Sequence, residues 1–181
     1  GTMFLITRVW DSLFDPVVGV IADRTESRWG KFRPYLLWIA IPFSVMGVLT
    51  FTTPDFSVTG KIIYAYVTYS LMMMVYSLIN VPYASLLGVM SAEPEERTAL
   101  SSYRMIFAFL GSMLALLLIE PLVNLYSSMT NLQIGWSMAA ATFAVVAVLF
   151  FMGTFCWTKE RIRPIKDEGN SLKEDIVDLF R

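Results

Sequence analysis

The chain has 181 residues, of which 56% are hydrophobic and only 16% are charged. Soluble domains usually carry about 25% charged residues, so this composition excludes an ordinary soluble domain and indicates a membrane protein. The net charge of −1 provides no basic field for nucleic acid. A single cysteine and the absence of histidine exclude an intramolecular disulfide, thiolate metal clusters and the usual histidine-based catalytic sites. We expect neither an enzyme nor a cofactor.

Long, mostly apolar segments predict five membrane-spanning helices, since about 20 apolar residues cross a bilayer. The predicted spans are 2–22, 34–53, 62–90, 99–123 and 134–157. A turn is predicted between the last two, at polar and small residues: Asn124, Ser127, Ser128, Asn131 and Gly135. The predicted fold is therefore all-α, a polytopic membrane helical bundle.

Charged residues concentrate in the segments that follow the first, third and fifth spans. Basic loops of membrane proteins face the cytoplasm, which places residues 23–33, 91–98 and 159–181 on that side. The first span then begins outside, so we expect an earlier crossing to precede it. The localisation predicted is the inner membrane, with several crossings.

The segment 159–181 is predicted to be a cytoplasmic middle loop. Its apolar residues from Leu172 to Phe180 have helical spacing, which predicts the start of an amphipathic helix at the membrane interface. A solvated linker is the alternative.

A few charges lie within the predicted spans, where each costs roughly 2.5–3.5 kcal/mol on insertion scales. Asp11 and Asp15 are four residues apart and share one helix face. Two carboxylates at that spacing in low dielectric need a counterion or a proton, so they predict a site for Na⁺ or H⁺. The alternative is a structural ion pair between Arg8 and Asp11.

Polar residues also interrupt the third and fourth spans. Tyr76, Ser77 and Asn80 precede Pro82, and a proline often bends a helix beside a membrane site. Packing between helices is the alternative for them. The run of methionines at 72–74 is interpreted as packing or lipid-facing. Arg104 either binds a ligand through its five donors or extends to the cytoplasmic interface.

Three blocks of sequence carry a family resemblance. The first runs from Arg8 through Asp11, Phe14, Asp15 and Gly19 to the loop that ends at Pro34. The other two are YSLINVPY at 76–83 and the pair Tyr103–Arg104. They resemble the glycoside–pentoside–hexuronide:cation symporters, the melibiose-permease-like branch of the major facilitator superfamily. The resemblance covers the whole chain as helices II–VI of an N-terminal transporter half over residues 1–158, with helix I missing.

The resemblance implies roles for particular residues. Asp11, Asp15 and Ser77 match the family's cation site, while Arg104, Asn80 and Tyr76 match positions beside the sugar. The first cytoplasmic loop is similar to the superfamily's conformational-switch motif, at Gly19, Asp23, Arg24, Gly30, Lys31 and Arg33. No metal is implied beyond Na⁺ at the aspartates.

Three positions depart from the melibiose branch. Phe14 replaces an asparagine, which removes an oxygen ligand and weakens the case for Na⁺ over H⁺. Asn80 replaces a sugar-binding aspartate and Ala84 a tryptophan, which argues against an α-galactoside.

The hypothesis is a secondary active transporter that couples Na⁺ or H⁺ to uptake of a sugar, glycoside or hexuronide by alternating access. Its expected partners are the sugar, the lipid bilayer and the remaining helices of the transporter. A transporter of lipids or other amphiphiles with the same fold is the closest rival. An intramembrane aspartyl hydrolase is disfavoured because both aspartates lie on one predicted helix. A structural or receptor membrane protein is a further alternative, and it would show no stabilisation by solutes.

Overall fold

The computed structural model describes residues 2–25 and 27–161, with side chains described for Ser12 and from Phe14 onwards. These residues form six α-helices and no strand. The helices are α1 (Thr2–Arg24), α2 (Arg33–Trp38), α3 (Ala40–Thr50), α4 (Val58–Met90), α5 (Pro94–Met129) and α6 (Leu132–Trp157). The predicted amphipathic segment within 162–181 lies outside the described residues.

The second predicted span is not one helix, because it is divided at Ile39 into α2 and α3. Pro42 has no backbone N–H to donate to the carbonyl of Trp38, four residues earlier, and its ring crowds that carbonyl. Helical bonding continues on either side, with the Ile39 N–H donating to Tyr35 O at 2.9 Å. The proline therefore interrupts the helix without ending the span, which covers residues 33–50.

The turn between α5 and α6 is shorter than predicted. Three of its five predicted residues are helical: Asn124, Ser127 and Ser128. Both serine hydroxyls donate to backbone carbonyls of the preceding turn, so they are accommodated inside α5. Only Thr130 and Asn131 separate the helices, and Asn131 caps α6 by accepting a 2.9 Å hydrogen bond from the Ile134 N–H. Gly135 lies within α6.

The helices form a bundle in which α4 contacts α1, α2, α3 and α5. α1 lies against α4, α3 lies between α4 and α6, and α5 packs mainly along α6. The best-buried apolar cluster lies where α1 ends, α2 begins and α4 ends: Ala22, Phe32, Tyr35, Leu36, Leu86 and Val89. We call this end of the bundle the charged end, because Asp23, Arg24, Lys31, Arg33 and Glu160 surround it.

Much of the apolar surface points outward. Phe107 and Leu116 of α5 are 68% and 76% exposed, and Val123 is the only buried residue of α5. Within the part of the chain that the structure describes, four segments are long and apolar enough to cross a membrane, namely 33–50, 58–90, 94–129 and 132–157. The 23 residues of α1 would extend about 35 Å, enough to cross, but three charged residues lie along its middle: Arg8, Asp11 and Asp15.

Candidate functional site: a polar cleft between α1 and α4

A cleft of about 550 Å³ separates the middle of α1 from the middle of α4. Its walls are formed by Ser12, Asp15, Met72, Met73, Tyr76, Ser77 and Asn80. Two other cavities, between α3 and α6 and between α3, α5 and α6, are lined almost entirely by apolar side chains. Among these cavities, the α1–α4 cleft alone combines a carboxylate, hydroxyls and an amide.

Among the described residues, Asp15 provides the only carboxylate on the wall of this cleft. Its Oδ1 atom is buried and has no hydrogen-bond partner among the described residues. Burying an unpartnered carboxylate oxygen is costly, and such a group is normally neutralised by a cation or by a proton. The position of this oxygen therefore matches what a site for a monovalent cation or a proton requires.

The second predicted aspartate, Asp11, lies one turn earlier on the same helix. Its side chain is outside the described part of the chain, as is that of Arg8. The predicted pairing of Asp11 with Asp15, and the alternative pairing with Arg8, both stay predictions.

Three predicted residues of α4 line the same cleft as Asp15. Ser77 is 3% exposed, and Asn80 follows it on the same helix face after three residues. Tyr76 is 45% exposed, and its ring centroid lies 6.5 Å from that of Phe43 on α3. The structure thus brings a carboxylate, a buried hydroxyl, an amide and a phenol together across α1 and α4.

Arg104 stands apart from this group. It does not line the cleft, and its guanidinium carbon lies 5.4 Å from the ring centroid of Tyr83, in a cation–π contact. Tyr83 lies three residues after Asn80 on α4, so this contact holds the arginine beside the polar face of α4. Its predicted role with the substrate stays a prediction.

Sequence reasoning missed three residues of the cleft wall: Ser12, Met72 and Met73. The interpretation of Met72 and Met73 as packing or lipid-facing residues is wrong, because both line the cleft. The available signal was their spacing, since Met72 precedes Tyr76 by four residues and Met73 precedes Ser77 by four. Residues at that spacing share a helix face.

The predicted switch residues lie at the charged end. Gly19 is on the α4-facing side of α1, where an added Cβ would meet Val81 Cγ1 at 4.0 Å, an ordinary contact. Asp23 and Arg24 are the exposed last residues of α1. Lys31 and Arg33 lie at the start of α2, beyond a short loop.

The loop between α1 and α2 is held by local hydrogen bonds. The Ser27 hydroxyl donates to Gly30 O at 2.9 Å and accepts from the Trp29 N–H at 3.1 Å. Gly30 has a φ of +110°, a backbone conformation that residues other than glycine rarely adopt. The glycine of the predicted motif is therefore required by the backbone of this turn.

Arg33 fastens the same loop to α6. Its guanidinium donates to the carbonyl of Phe155 and lies 4.8 Å above the ring of that residue. The Trp29 ring meets the Phe155 ring edge-on, with 5.8 Å between centroids. A planar cation and two aromatic rings thus connect the start of α2 with the last turn of α6.

The chemistry available in the cleft is limited. In the described part of the chain, no three Cys, Asp or Glu side chains are grouped so as to hold a metal ion. The described residues of the cleft provide one carboxylate with hydroxyl and amide neighbours, a set that suits a weakly held monovalent cation or a proton, together with a ligand rich in hydroxyl groups. Reversible binding of this kind is what carriers require.

The sequence of this chain is similar to those of known transport proteins. All 181 residues match the family described as MFS/sugar transport protein. The inner membrane symporter YicJ of Escherichia coli is 42% identical over the whole chain, which covers 39% of that protein. The putative glycoside/cation symporter YagG of the same organism is 44% identical over 97% of the chain and 38% of its own length. The isoprimeverose transporter of Lactiplantibacillus pentosus is 40% identical over 93% of the chain and 35% of its own length.

Proposed function

The chain belongs to the MFS/sugar transport protein family, and on this premise we propose that it forms the cation-binding part of a cation-coupled carbohydrate symporter. Family membership confirms the predicted resemblance, the all-α membrane fold and the assignment to transporters rather than to enzymes. The protein is accordingly a multi-pass membrane transporter that contacts the lipid bilayer. The coupling ion, the cargo and the residue roles belong to the proposal.

The observation that carries the proposal is the buried Oδ1 of Asp15 on the wall of a polar cleft, an atom that has no hydrogen-bond partner among the described residues. Occupation by a cation or a proton removes the cost of that buried charge. Ser77 faces the same cleft and offers a hydroxyl oxygen to complete a cation shell. Because the charge and the polar cargo site adjoin, neutralising Asp15 also favours binding of the cargo, which couples the two sites.

A carbohydrate cargo is supported by the polar side chains and by the relatives. Asn80 and Tyr76 offer an amide and a phenol beside Asp15, and amide and phenol groups both donate and accept hydrogen bonds to hydroxyls. Two relatives are named as a putative glycoside/cation symporter and an isoprimeverose transporter. We place Arg104 at the edge of the cargo site, beside Tyr83.

The chain spans 35–39% of the length of these three relatives, so transport itself is proposed for a longer protein. In it, helices beyond this bundle would close the other side of the cleft, and rocking of the two parts would expose the cleft alternately to each side of the membrane. The basic residues of the charged end support a cytoplasmic position for that end. Cysteine labelling from each side of the membrane at Ser27 and Asp55 tests this topology, because the two positions should label from opposite sides.

The central test is Asp15→Asn in the full-length transporter. Asparagine keeps the shape of the side chain but removes the charge, so uphill accumulation of the cargo should fall by on the order of tenfold or more, in line with coupling energies of about 1–3 kcal/mol. Downhill exchange should survive. Asp55→Asn is the matched control, because Asp55 is exposed between α3 and α4. Undiminished accumulation with a normal cation dependence in Asp15→Asn would reject the assignment.

The choice between Na⁺ and H⁺ needs a separate measurement. A sodium ion needs several oxygen ligands, whereas a proton needs only the carboxylate, so Ser77→Ala should weaken activation by Na⁺ but leave proton coupling unchanged. Uptake into proteoliposomes driven by either a Na⁺ gradient or a pH gradient separates the two. Phe14 stands where the melibiose branch has an asparagine, so an oxygen ligand for Na⁺ is lost, which favours H⁺ as the coupling ion.

One observation supports a second candidate, an amphiphilic cargo. Met72 and Met73 line the cleft, and thioether side chains adapt to irregular apolar ligands. Competition of labelled uptake by sugars and by lysolipids distinguishes the candidates, because only the true cargo class competes at concentrations that leave the membrane intact.

A further inference from the structure

Glu160 makes the most extensive long-range contact at the charged end. It lies three residues after the end of α6, yet its carboxylate accepts three hydrogen bonds from backbone N–H groups at the start of α2. Oε2 accepts from Lys31 at 2.9 Å, and Oε1 accepts from Phe32 at 2.8 Å and from Arg33 at 3.0 Å. Bonds from N–H groups to an ionised carboxylate are stronger than those between neutral groups.

The N–H groups of Phe32 and Arg33 are among those that the first turn of a helix leaves without an internal partner, and the N–H of Lys31 immediately precedes them. Phe32 is the N-cap residue of α2, and its own side chain makes no capping bond. The carboxylate also meets the positive end of the short helix. Glu160 thus supplies, from about 130 residues away in sequence, the cap that the local sequence lacks.

Gly30 provides the space for this carboxylate. A Cβ added at Gly30 would overlap the Glu160 carboxylate, so any other residue would displace it. The next residue, Arg161, donates its backbone N–H to Val89 O at 3.0 Å, near the end of α4. The segment after α6 is therefore fixed to α2 on one side and to α4 on the other.

We propose that Glu160 is a positioning residue for transport, which holds the 30–33 loop in the geometry that allows it to latch the rest of the transporter. The inference rests on the proposed function and adds to it a residue outside the predicted switch motif. Without the carboxylate, the loop loses the common acceptor of three amides. The conformational state that this loop stabilises then becomes less populated, while the cleft, at the middle of α1 and α4, is unchanged.

The test compares Glu160→Ala, Glu160→Gln and Glu160→Asp in the full-length transporter, with Glu95→Gln as control. Glu95 is an exposed acidic residue in the first turn of α5, at the same end of the bundle. Alanine removes all three bonds. Glutamine replaces one oxygen with an NH₂ group, so it keeps the acceptor for two amides at most and faces the third with a donor. Aspartate keeps the charge and should restore part of the function.

Hydrogen exchange at residues 31–33 is the first measurement. In Glu160→Ala these amides should exchange on the order of tenfold faster or more, with a smaller increase in Glu160→Gln, since bonds to charged groups contribute most among hydrogen bonds. The control should match the wild type. Unchanged exchange in Glu160→Ala would overturn the proposal.

Transport by the folded variant is the second measurement. Net uptake should slow by on the order of tenfold in Glu160→Ala, whereas the cargo dissociation constant should stay within about twofold of wild type. A merely structural role predicts less folded protein with normal turnover per folded molecule, and that result would also overturn the proposal. Absence of cargo uptake by the wild type would instead reject the proposed function, and hydrogen exchange would still decide whether Glu160 holds the loop.

Discussion

Gly135 of α6 lies close to α5, with no room for a side chain between them. An added Cβ there would overlap the Ser127 hydroxyl and lie 3.1 Å from both Ser127 N and Val123 O. Two of these three contacts involve backbone atoms, which cannot turn away as a flexible side chain can. Substitution Gly135→Ala must therefore push the start of α6 away from α5.

The expected cost follows from these distances. Inserting a methyl group into a packed contact typically costs about 1–3 kcal/mol. The alanine gains roughly 0.5–1 kcal/mol of helix propensity, which offsets part of that cost. We expect a net destabilisation of about 0.5–2 kcal/mol for Gly135→Ala.

Two other glycines serve as matched controls. An added Cβ at Gly47 in α3 or Gly111 in α5 has nothing within 4 Å, so alanine there should stabilise by about 0.5–1 kcal/mol through propensity alone. Thermal unfolding in detergent should consequently shift in opposite directions for Gly135→Ala and for the two controls. The added substitution Ser127→Ala should recover part of the loss, because it removes one of the overlapping atoms. A melting temperature for Gly135→Ala equal to or above that of Gly111→Ala would refute this argument.

Two further predictions concern stability. Leu86→Ala should destabilise the protein by about 2–5 kcal/mol, because Leu86 is 1% exposed in the cluster that joins α1, α2 and α4. Thermal unfolding measures this effect, with Leu71→Ala at a 43% exposed site as the control. Equal melting temperatures for the two variants would contradict the assigned core. Asn131→Ala should cost about 0.5–2 kcal/mol by removing the cap of α6, whereas Asn131→Asp should retain most of the stability. Limited proteolysis at the α5–α6 turn reports the local effect, and equal cleavage of both variants would show that the cap is unimportant.

The sequence predicts well those parts of the fold that depend on hydropathy and on the spacing of apolar residues. Runs of apolar residues between charged loops indicated the long helices α4, α5 and α6, because a bilayer tolerates little else. Where a local rule competes with helix continuity, the prediction was less accurate. Pro42 divides the second span, whereas Ser127 and Ser128 stay helical by bonding to the carbonyls of the turn before them.

The candidate site shows the same division. Asp15 could be proposed from the sequence because a charge inside a span is unusual, and Ser77 because its surrounding motif resembles a known family. Met72 and Met73 were misinterpreted, since an apolar side chain gives no sign of whether it faces lipid, another helix or a cleft. The contact of Arg104 with Tyr83 depends on how α5 packs against α4, which no local pattern encodes.

By itself, the sequence determined that the chain lies in a membrane, that it forms helices, and which polar residues those helices contain, because hydropathy and spacing are local properties of the chain. Tertiary structure decided which of those residues meet. It places at a cleft shared by α1 and α4 one oxygen of Asp15 that has no partner among the described residues, and it brings Glu160 onto three amides about 130 residues away. Such meetings depend on the packing of whole helices, which is set by the sum of many contacts along each helix rather than by any short motif.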